Sequence, residues 1–265
     1  MSAIDFRALL KAERVASNKQ SVSEPTEARI IQATATQAAT QASLPLPQPP
    51  STPLPNSLLF SPTTSPPPLK PSPSSNLSYY PSFLTPAESA LILDTLLASN
   101  HPWHTLTHAK RRVQSHDASL TPFPPYLDLI TTALRPLFPP THPPNHILIN
   151  EYTATQGIMA HTDGPFYHPQ TCTISIGGAA LLRFTPRLAS TDIGMHSSEP
   201  LHEAVLRTGS LLLFKEEFYM EMLHEIVEKG EEDTVCAGER CFNAVEGEVV
   251  ERWYRVSFTV RHKFN

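Results

Sequence analysis

His161 and Asp163 are separated by a single residue, and this spacing allows both side chains to bind one metal ion. Two histidines and one carboxylate on one face of a non-haem Fe(II) leave three coordination positions open for other ligands. The triplet His161-Thr162-Asp163 alone is weak evidence, because it can arise by chance. The candidate third ligand is His224, 63 residues further on, although a lone histidine is more often structural than a ligand.

The segment RWYRVSFTVRHKF near the C-terminus alternates as a β-strand does. Arg255 and Arg261 are an even number of residues apart, so they point to the same side of this predicted strand. If that side is buried, two guanidinium groups need anionic partners, and a small dicarboxylate would supply them. A surface strand with solvated arginines fits the pattern equally well. The predicted cationic side carries Trp253, Arg255, Ser257, Thr259 and Arg261, and the other side carries Tyr254, Val256, Phe258, Val260 and His262.

Two helices are predicted before these residues. Thr85, followed by Pro86 and Glu88, is typical of an N-cap with a capping-box glutamate, and it predicts a helix over 86–98. This helix is expected to bury Leu91, Leu93, Leu96 and Leu97 to some degree. A second helix is predicted over 124–137, with Leu127, Ile130 and Leu134 on one stripe. In the segment 103–116, between the two helices, the apolar residues follow neither a helical nor a strand period.

After His146 the pattern changes to short β-rich segments bounded by glycine or proline, namely HILINEY, TCTISIGGAALLRF and GSLLLF. Short strands without intervening helices are typical of an antiparallel sandwich or barrel. The sequence therefore predicts a mainly β (α+β) domain.

The composition divides the chain into a tail and a folded domain. All nine glycines lie at or beyond Gly157, whereas 12 of the 28 prolines lie between Pro45 and Pro73. Residues 1–78 are predicted to be a disordered tail, Ala/Gln-rich and then Pro/Ser-rich, and 79–265 the folded domain. A short amphipathic helix is predicted near 4–15. It either docks in a partner's groove or folds back on its own domain.

Charge, cysteine content and hydropathy exclude several classes of protein. No apolar run approaches the roughly 20 residues of a membrane-spanning helix, and the N-terminal segment lacks the apolar stretch of a secretory signal. Three cysteines are too few for a disulfide scaffold. We therefore expect an intracellular protein of the cytoplasm or nucleus. Residues 79–265 carry 14 Lys/Arg against 21 Asp/Glu, which argues against a strongly basic nucleic-acid binder but permits a local basic face.

Taken together, these elements resemble the AlkB family of Fe(II)/2-oxoglutarate dioxygenases. The family pattern is N-x-Y, a glycine, H-x-D, a distant histidine and R-x5-R, and all of it is present in this order over about 145–265. The phrases YYPSFLTPAE and GIMAHTDGPFYHPQTCTISIG are most similar to the sixth animal homologue of the family. The resemblance implies a double-stranded β-helix (jelly-roll) core with N-terminal flanking helices, preceded by the disordered tail.

The resemblance also implies a role for each matching residue. His161, Asp163 and His224 would bind Fe(II). Arg255 would bind the distal carboxylate of 2-oxoglutarate through two parallel hydrogen bonds. Arg261 would act where the cosubstrate and substrate meet. With O2, this cofactor set would convert 2-oxoglutarate to succinate and CO2 and oxidise a substrate C–H bond, so that an N-methyl group leaves as formaldehyde. Further cosubstrate-binding residues would be Leu148, Asn150, Tyr152 and Thr259.

The substrate is less well indicated than the cosubstrate. In AlkB-like enzymes, loops before the core hold a single-stranded or flipped base. In this sequence the corresponding region is about 100–120, where Trp103 would stack on a base and Lys110, Arg111 and Arg112 would contact phosphate. A solvated basic loop beside a core tryptophan explains the same residues.

Three further expectations concern the remainder of the chain. The stretches at about 186–207 and 228–251 depart from a minimal family core and are interpreted either as gates to the site or as insertions. Two other functions remain open, a protein side-chain hydroxylase on the same scaffold and a non-catalytic adaptor that acts through the N-terminal helix and the Pro-rich tail. We expect a monomer with no membrane partner.

Overall fold

The computed structural model describes residues 53–58, 72–106, 111–187, 199–228, 230, 232–235 and 240–264. The predicted helix near 4–15, most of the Pro-rich tail and Lys110 lie outside these residues. The predicted domain start at 79 falls inside the first strand, which begins at Leu77. Leu58, within the predicted tail, is buried against the core.

The described residues form thirteen strands, and every paired neighbour runs antiparallel. The prediction of a mainly β, antiparallel fold is therefore confirmed. The strands are β1 (Leu77–Tyr80), β2 (His104–Thr105), β3 (Arg112–Asp117), β4 (His146–Tyr152), β5 (Ile158–His161), β6 (Gln170–Gly177), β7 (Ala180–Pro186), β8 (His202–Leu206), β9 (Leu211–Lys215), β10 (Met222–Ile226), β11 (Glu232–Thr234), β12 (Val249–Glu251) and β13 (Arg255–Arg261).

Eleven of the strands build a large sheet and a small sheet that face each other, and β11 and β12 form a separate two-stranded sheet. The large sheet has the order β1-β9-β6-β13-β4-β3-β2, and the small sheet has the order β5-β10-β7-β8. Phe184 of the small sheet and Phe214 of the large sheet pack edge to face in the core between them, with ring centroids 5.5 Å apart. This pair of packed sheets is the jelly-roll arrangement that the family resemblance implied.

The first two helices cover the outer side of the large sheet, and the third packs in the core between the sheets. Helix α1 (Pro86–Ala98) begins at the predicted cap, where the Thr85 side chain accepts from the Glu88 backbone and the Glu88 carboxylate accepts from the Thr85 backbone. Helix α2 (Pro125–Leu134) continues as a 3-10 turn (Arg135–Leu137), and α3 (Glu217–Met220) is a single turn. Leu97 was wrongly predicted to be buried: it is exposed, and Ile92 faces the core instead.

Two segments without a clear period contain strands. In β3, the side facing the helices carries Gln114 and His116 rather than apolar residues, and both are buried. In β8, buried Glu203 is ion-paired with Arg183, at 3.0 Å between Nε and Oε1. These polar residues interrupt the alternation by which a strand is predicted. Strands β2 and β3 therefore lie in a region where the sequence showed no clear period, and β8 lies within the stretch at about 186–207.

The described part of 228–251 covers the outer side of the small sheet. Val235, Cys241 and Val250 pack with Leu181 and Val205 in a separate apolar cluster. The Asn243 side chain donates to the carbonyl oxygen of Val205 and accepts from its N–H, and this pairing covers the β8 edge. This part of the segment is therefore a packed structural element.

Candidate metal and cosubstrate site

His161 and His224 meet as a cross-strand pair between β5 and β10. Their ring centroids are 4.2 Å apart, and Asp163 follows His161 just beyond the end of its strand. One ligand atom from each of His161, Asp163 and His224 lies within 4.8 Å of the other two. The structure thus brings together the three predicted metal ligands.

Gly157 allows this pairing, because the backbone of the neighbouring strand passes directly against it. A Cβ atom at this position would lie 2.1 Å from the carbonyl oxygen of Ile226 and 2.7 Å from the backbone nitrogen of Glu228. Any side chain would therefore push β5, which carries His161, away from β10, which carries His224.

The protonation states of the three ligands suit a metal cation. Burial lowers the pKa of His161, and burial followed by the charge of neighbouring groups lowers the pKa of His224 to about 3. Both imidazoles are therefore neutral at pH 7. His161 Nδ1 lies 2.7 Å from the carbonyl oxygen of Met159, so the tautomer that donates this bond leaves Nε2 free to bind a metal.

Asp163 is held as a carboxylate by cationic and hydroxyl groups. Burial acts to raise the pKa of Asp163, but the charge of Arg261, together with the hydrogen bond from Thr171, holds it at about 2. Arg261 Nη1 lies 3.0 Å from Asp163 Oδ1, and the Thr171 hydroxyl donates to Oδ2 at 2.5 Å. Two neutral imidazoles and one ionised carboxylate are the donor set of a facial Fe(II) site.

The predicted cationic side of β13 faces the interior between the sheets. Arg255 is 3% exposed and Arg261 is 4% exposed. Nη2 of Arg255 donates to the Ser175 hydroxyl at 2.9 Å, whereas its Nε and Nη1 are buried without a hydrogen-bond partner among the described residues. Nε of Arg261 is likewise unpartnered within the described part of the chain.

These unpartnered donors fit an anionic ligand. A buried guanidinium with open N–H groups carries a high desolvation cost unless an anion is bound to it. A diacid would satisfy the requirement, because one of its carboxylates would pair with the open donors of Arg255. The site therefore fits both Fe(II) and 2-oxoglutarate.

The other predicted cosubstrate residues line the same side of the large sheet. The register of β4 against β13 pairs Tyr152 with Arg255, Asn150 with Ser257, and Leu148 with Thr259. Opposite residues of an antiparallel pair share a face, so all of these side chains point towards the site. The Tyr152 ring centroid lies 5.3 Å from the Arg255 guanidinium carbon.

The predicted substrate residues are in different environments. Trp103 packs partly buried against the core, and the guanidinium carbon of Arg112 lies 5.2 Å from its ring centroid. Arg112 also forms an ion pair with Glu151. Arg111 is only 4% exposed, and its Nε donates to Asn150 Oδ1 at 3.2 Å. The alternative interpretation of a solvated basic loop does not hold for Arg111, because the strand alternation turns it inwards.

Sequence reasoning missed three residues that hold the site together. Ser175 positions Arg255, Thr171 positions Asp163, and the Tyr167 ring centroid lies 3.9 Å from the guanidinium carbon of Arg261. The alternation of hydroxyl residues along 171–175 was the available signal for the first two. Tyr167 lies outside the strands, and the sequence carries no comparable signal for it.

Comparison with protein-family models matches residues 99–261 to the family described as the 2OG-Fe(II) oxygenase superfamily. A curated relative from Danio rerio, named "Probable RNA/DNA demethylase ALKBH6", is 34% identical over 126 residues. That alignment covers 44% of this chain and 53% of the relative, so this chain spans about half the length of that protein. The predicted resemblance to the AlkB family is confirmed.

Two solved structures show a more distant likeness. The structure titled "The structure of OsALKBH1" is 13% identical, with a TM-score of 0.48 over 72% of this chain and 100% of that one. A prolyl-4-hydroxylase from Pseudomonas putida is 15% identical, with a TM-score of 0.44 over 72% of this chain and 93% of that one.

Proposed function

The chain belongs to the 2OG-Fe(II) oxygenase superfamily, and we propose that it is a dioxygenase of the AlkB type that uses Fe(II) and 2-oxoglutarate. The proposed reaction is oxidative demethylation of N-alkylated bases in nucleic acid. The single observation that carries the proposal is the convergence of His161, Asp163 and His224 beside a buried arginine with open donors. The 34% identity to a relative named as an RNA/DNA demethylase supports the substrate class.

In the proposed reaction, the side chains of this protein bind and orient the reacting groups. His161, Asp163 and His224 would hold Fe(II) on one face. Bound Fe(II), with 2-oxoglutarate and O2, supplies the oxidising chemistry that the amino acids lack. Arg255 would fix the distal carboxylate of 2-oxoglutarate through its open Nε and Nη1, with Ser175 holding Nη2.

The surrounding residues restrict the movement of the site side chains and exclude bulk water from one end of the site. Arg261 and Thr171 each contact one oxygen of Asp163, so they restrict the rotation of the carboxylate. Arg255, Asn150 and Ser257 are each at most 3% exposed, so this end of the site excludes bulk water. Electrostatic contacts are strengthened when water is excluded in this way.

The proposal is tested by product analysis with methylated oligonucleotides. The full chain is incubated with Fe(II), 2-oxoglutarate and O2, and succinate and formaldehyde are measured for single-stranded DNA and RNA that carry N-methylated bases. We expect both products from the unaltered protein and neither from Asp163→Ala. His142→Ala is the matched control, because His142 packs against His168 and His262, outside the site, and should not change the yield.

Two outcomes would contradict the proposal. Succinate formation that is unchanged in Asp163→Ala would refute the ligand assignment. Succinate without formaldehyde on every nucleic acid, together with a hydroxylated peptide product, would refute the demethylase and favour a protein hydroxylase.

A further inference from the structure

His146 is a buried polar residue on the site side of the large sheet. It is the first residue of β4, and the alternation along this strand places it on the same side as Leu148 and Asn150. The register of β4 against β13 pairs His146 directly with Arg261. Opposite residues of an antiparallel pair share a face, so the imidazole and the guanidinium are neighbours.

The imidazole of His146 lies at the metal end of the site. The Tyr167 ring centroid lies 3.9 Å from the guanidinium carbon of Arg261 and 5.2 Å from the ring centroid of His146, so both side chains pack against one ring. Nη1 of Arg261 lies 3.0 Å from Oδ1 of Asp163, a proposed metal ligand. Arg255, at the other end of β13, pairs instead with Tyr152.

His146 and Arg261 each have a buried nitrogen without a partner. His146 is 6% exposed and Arg261 is 4% exposed. Nδ1 of His146 and Nε of Arg261 have no hydrogen-bond partner among the described residues. Buried polar atoms are costly when they are left unpaired. The two nitrogens therefore indicate a polar ligand atom that both of them can contact.

The chemistry of the two nitrogens favours an oxygen acceptor. Burial lowers the pKa of His146 to about 3, so its imidazole is neutral at pH 7. Its Nε2 lies 3.2 Å from the Ser115 hydroxyl, and the tautomer that accepts from this hydroxyl carries its hydrogen on Nδ1. Nε of Arg261 is always a donor. In this tautomer, two N–H groups are available to one oxygen atom.

We propose that His146 is a cosubstrate-binding residue, whose Nδ1–H donates, together with Nε–H of Arg261, to the carboxylate of 2-oxoglutarate next to the keto group. This inference rests on the proposed function. Arg255 would hold the distal carboxylate, so the two ends of the cosubstrate would be recognised by different residues. His146 would thereby fix the orientation in which the keto acid approaches the metal ligands.

The test compares two ligands that differ only at this carboxylate. Levulinate has the keto group and the distal carboxylate of 2-oxoglutarate, but a methyl group replaces the carboxylate next to the keto group. The full chain, loaded with Fe(II) and kept without O2, is titrated with 2-oxoglutarate by calorimetry, and levulinate is measured by competition. We expect His146→Gln to bind 2-oxoglutarate about tenfold more weakly and levulinate with unchanged affinity.

His146→Asn separates the proposed contact from a structural role. The asparagine amide can place an N–H group near the position of Nδ1, whereas the glutamine amide lies near the position of Nε2. His146→Asn should therefore bind 2-oxoglutarate within about threefold of the unaltered protein. His116→Gln is the matched control, because His116 is a buried histidine on the helix side of the same sheet, and it should leave both affinities unchanged.

The possible failures point to different conclusions. Equal losses for both ligands in His146→Gln would show a structural role, and an unchanged affinity for 2-oxoglutarate would show that a group such as water occupies the space. Either result refutes the contact and leaves the proposed function standing. A loss in His146→Asn as large as in His146→Gln would refute donation from Nδ1. If the unaltered protein bound no 2-oxoglutarate, the proposed function would fail as well.

Discussion

The three inward-pointing arginines are the residues that give the site its chemical character. Each one contacts a different group: Arg111 contacts Asn150, Arg255 contacts Ser175, and Arg261 contacts Asp163. Arg261 has an anionic partner within the protein, Asp163, whereas Nε and Nη1 of Arg255 are buried without a hydrogen-bond partner among the described residues. The same residue type therefore fixes the carboxylate of Asp163 at one position and presents open donors at another.

Arg255→Lys should weaken the binding of 2-oxoglutarate by about tenfold or more, because an ammonium group cannot form the two parallel hydrogen bonds of a guanidinium with a carboxylate. Isothermal titration of the Fe(II)-loaded protein without O2 measures this affinity. Arg112→Lys is the control, since it alters a surface ion pair that contributes little to stability. Equal affinities for the two variants would contradict the assignment of Arg255.

At the scale of elements, the metal site depends on the close approach of β5 to β10. Gly157→Ala would place a methyl group against the backbone of Ile226, Val227 and Glu228. We expect a loss of about 2 kcal/mol in the free energy of unfolding, or a fall in Tm of roughly 4–8 °C, and a lower affinity for Fe(II). Thermal denaturation and metal titration measure the two effects.

The control for this prediction is Gly230→Ala. An added Cβ atom at Gly230 meets nothing within 4 Å, and its backbone does not require glycine. This variant should keep both Tm and metal affinity. If Gly157→Ala behaves in the same way, the close packing of β5 on β10 is not required for the site.

Elements with strong local signals were predictable from the sequence. The Thr85 cap defined the start of α1, and the alternation of Arg255 to Arg261 identified β13 and the residues on its cationic side, although it left open whether that side is buried. Strands β3 and β8 were missed, because Gln114, His116 and Glu203 are polar residues whose burial depends on distant partners. The inward orientation of the Arg111 side chain was missed for the same reason, since it follows only from the register of β3 against β4.

At the scale of the whole molecule, buried histidines make the fold sensitive to acid. Burial lowers the pKa of His116 to about 4 and that of His146 to about 3. In the unfolded chain a histidine has a pKa of about 6.5, so below this pH the unfolded state binds protons that the folded state does not. The free energy of unfolding should therefore fall as the pH decreases from about 6.5 to 5.

His116→Gln should reduce the steepness of this fall, by up to about 1.4 kcal/mol per pH unit. Urea denaturation at several pH values measures the slope, and data at pH 8 separate the loss of packing from the effect of protonation. An unchanged slope would show that His116 takes up its proton equally well in the folded protein.

Within the described residues, no helix has the length and apolar character needed to cross a bilayer. The described chain instead places its apolar residues in clusters on the helix side of the large sheet, between the two sheets, and on the outer side of the small sheet. The polar site lies at one end of the space between the sheets, where strands from both contribute side chains. Both sheets must therefore be folded for the three proposed metal ligands, which come from β5 and β10 of the small sheet and the residues after β5, to lie beside Arg255 and Arg261 of the large sheet.

The central claim is that His161, Asp163 and His224 bind one Fe(II) beside a 2-oxoglutarate held by Arg255. Anaerobic titration of the protein with Fe(II) and 2-oxoglutarate tests it directly through the visible charge-transfer band of the ternary complex. We predict that the band saturates at one Fe(II) per chain and is absent in His224→Ala. In Arg255→Lys, a higher concentration of 2-oxoglutarate should be required to reach the same band intensity. A protein that gives no such band, or a His224→Ala variant with the full band, would contradict it.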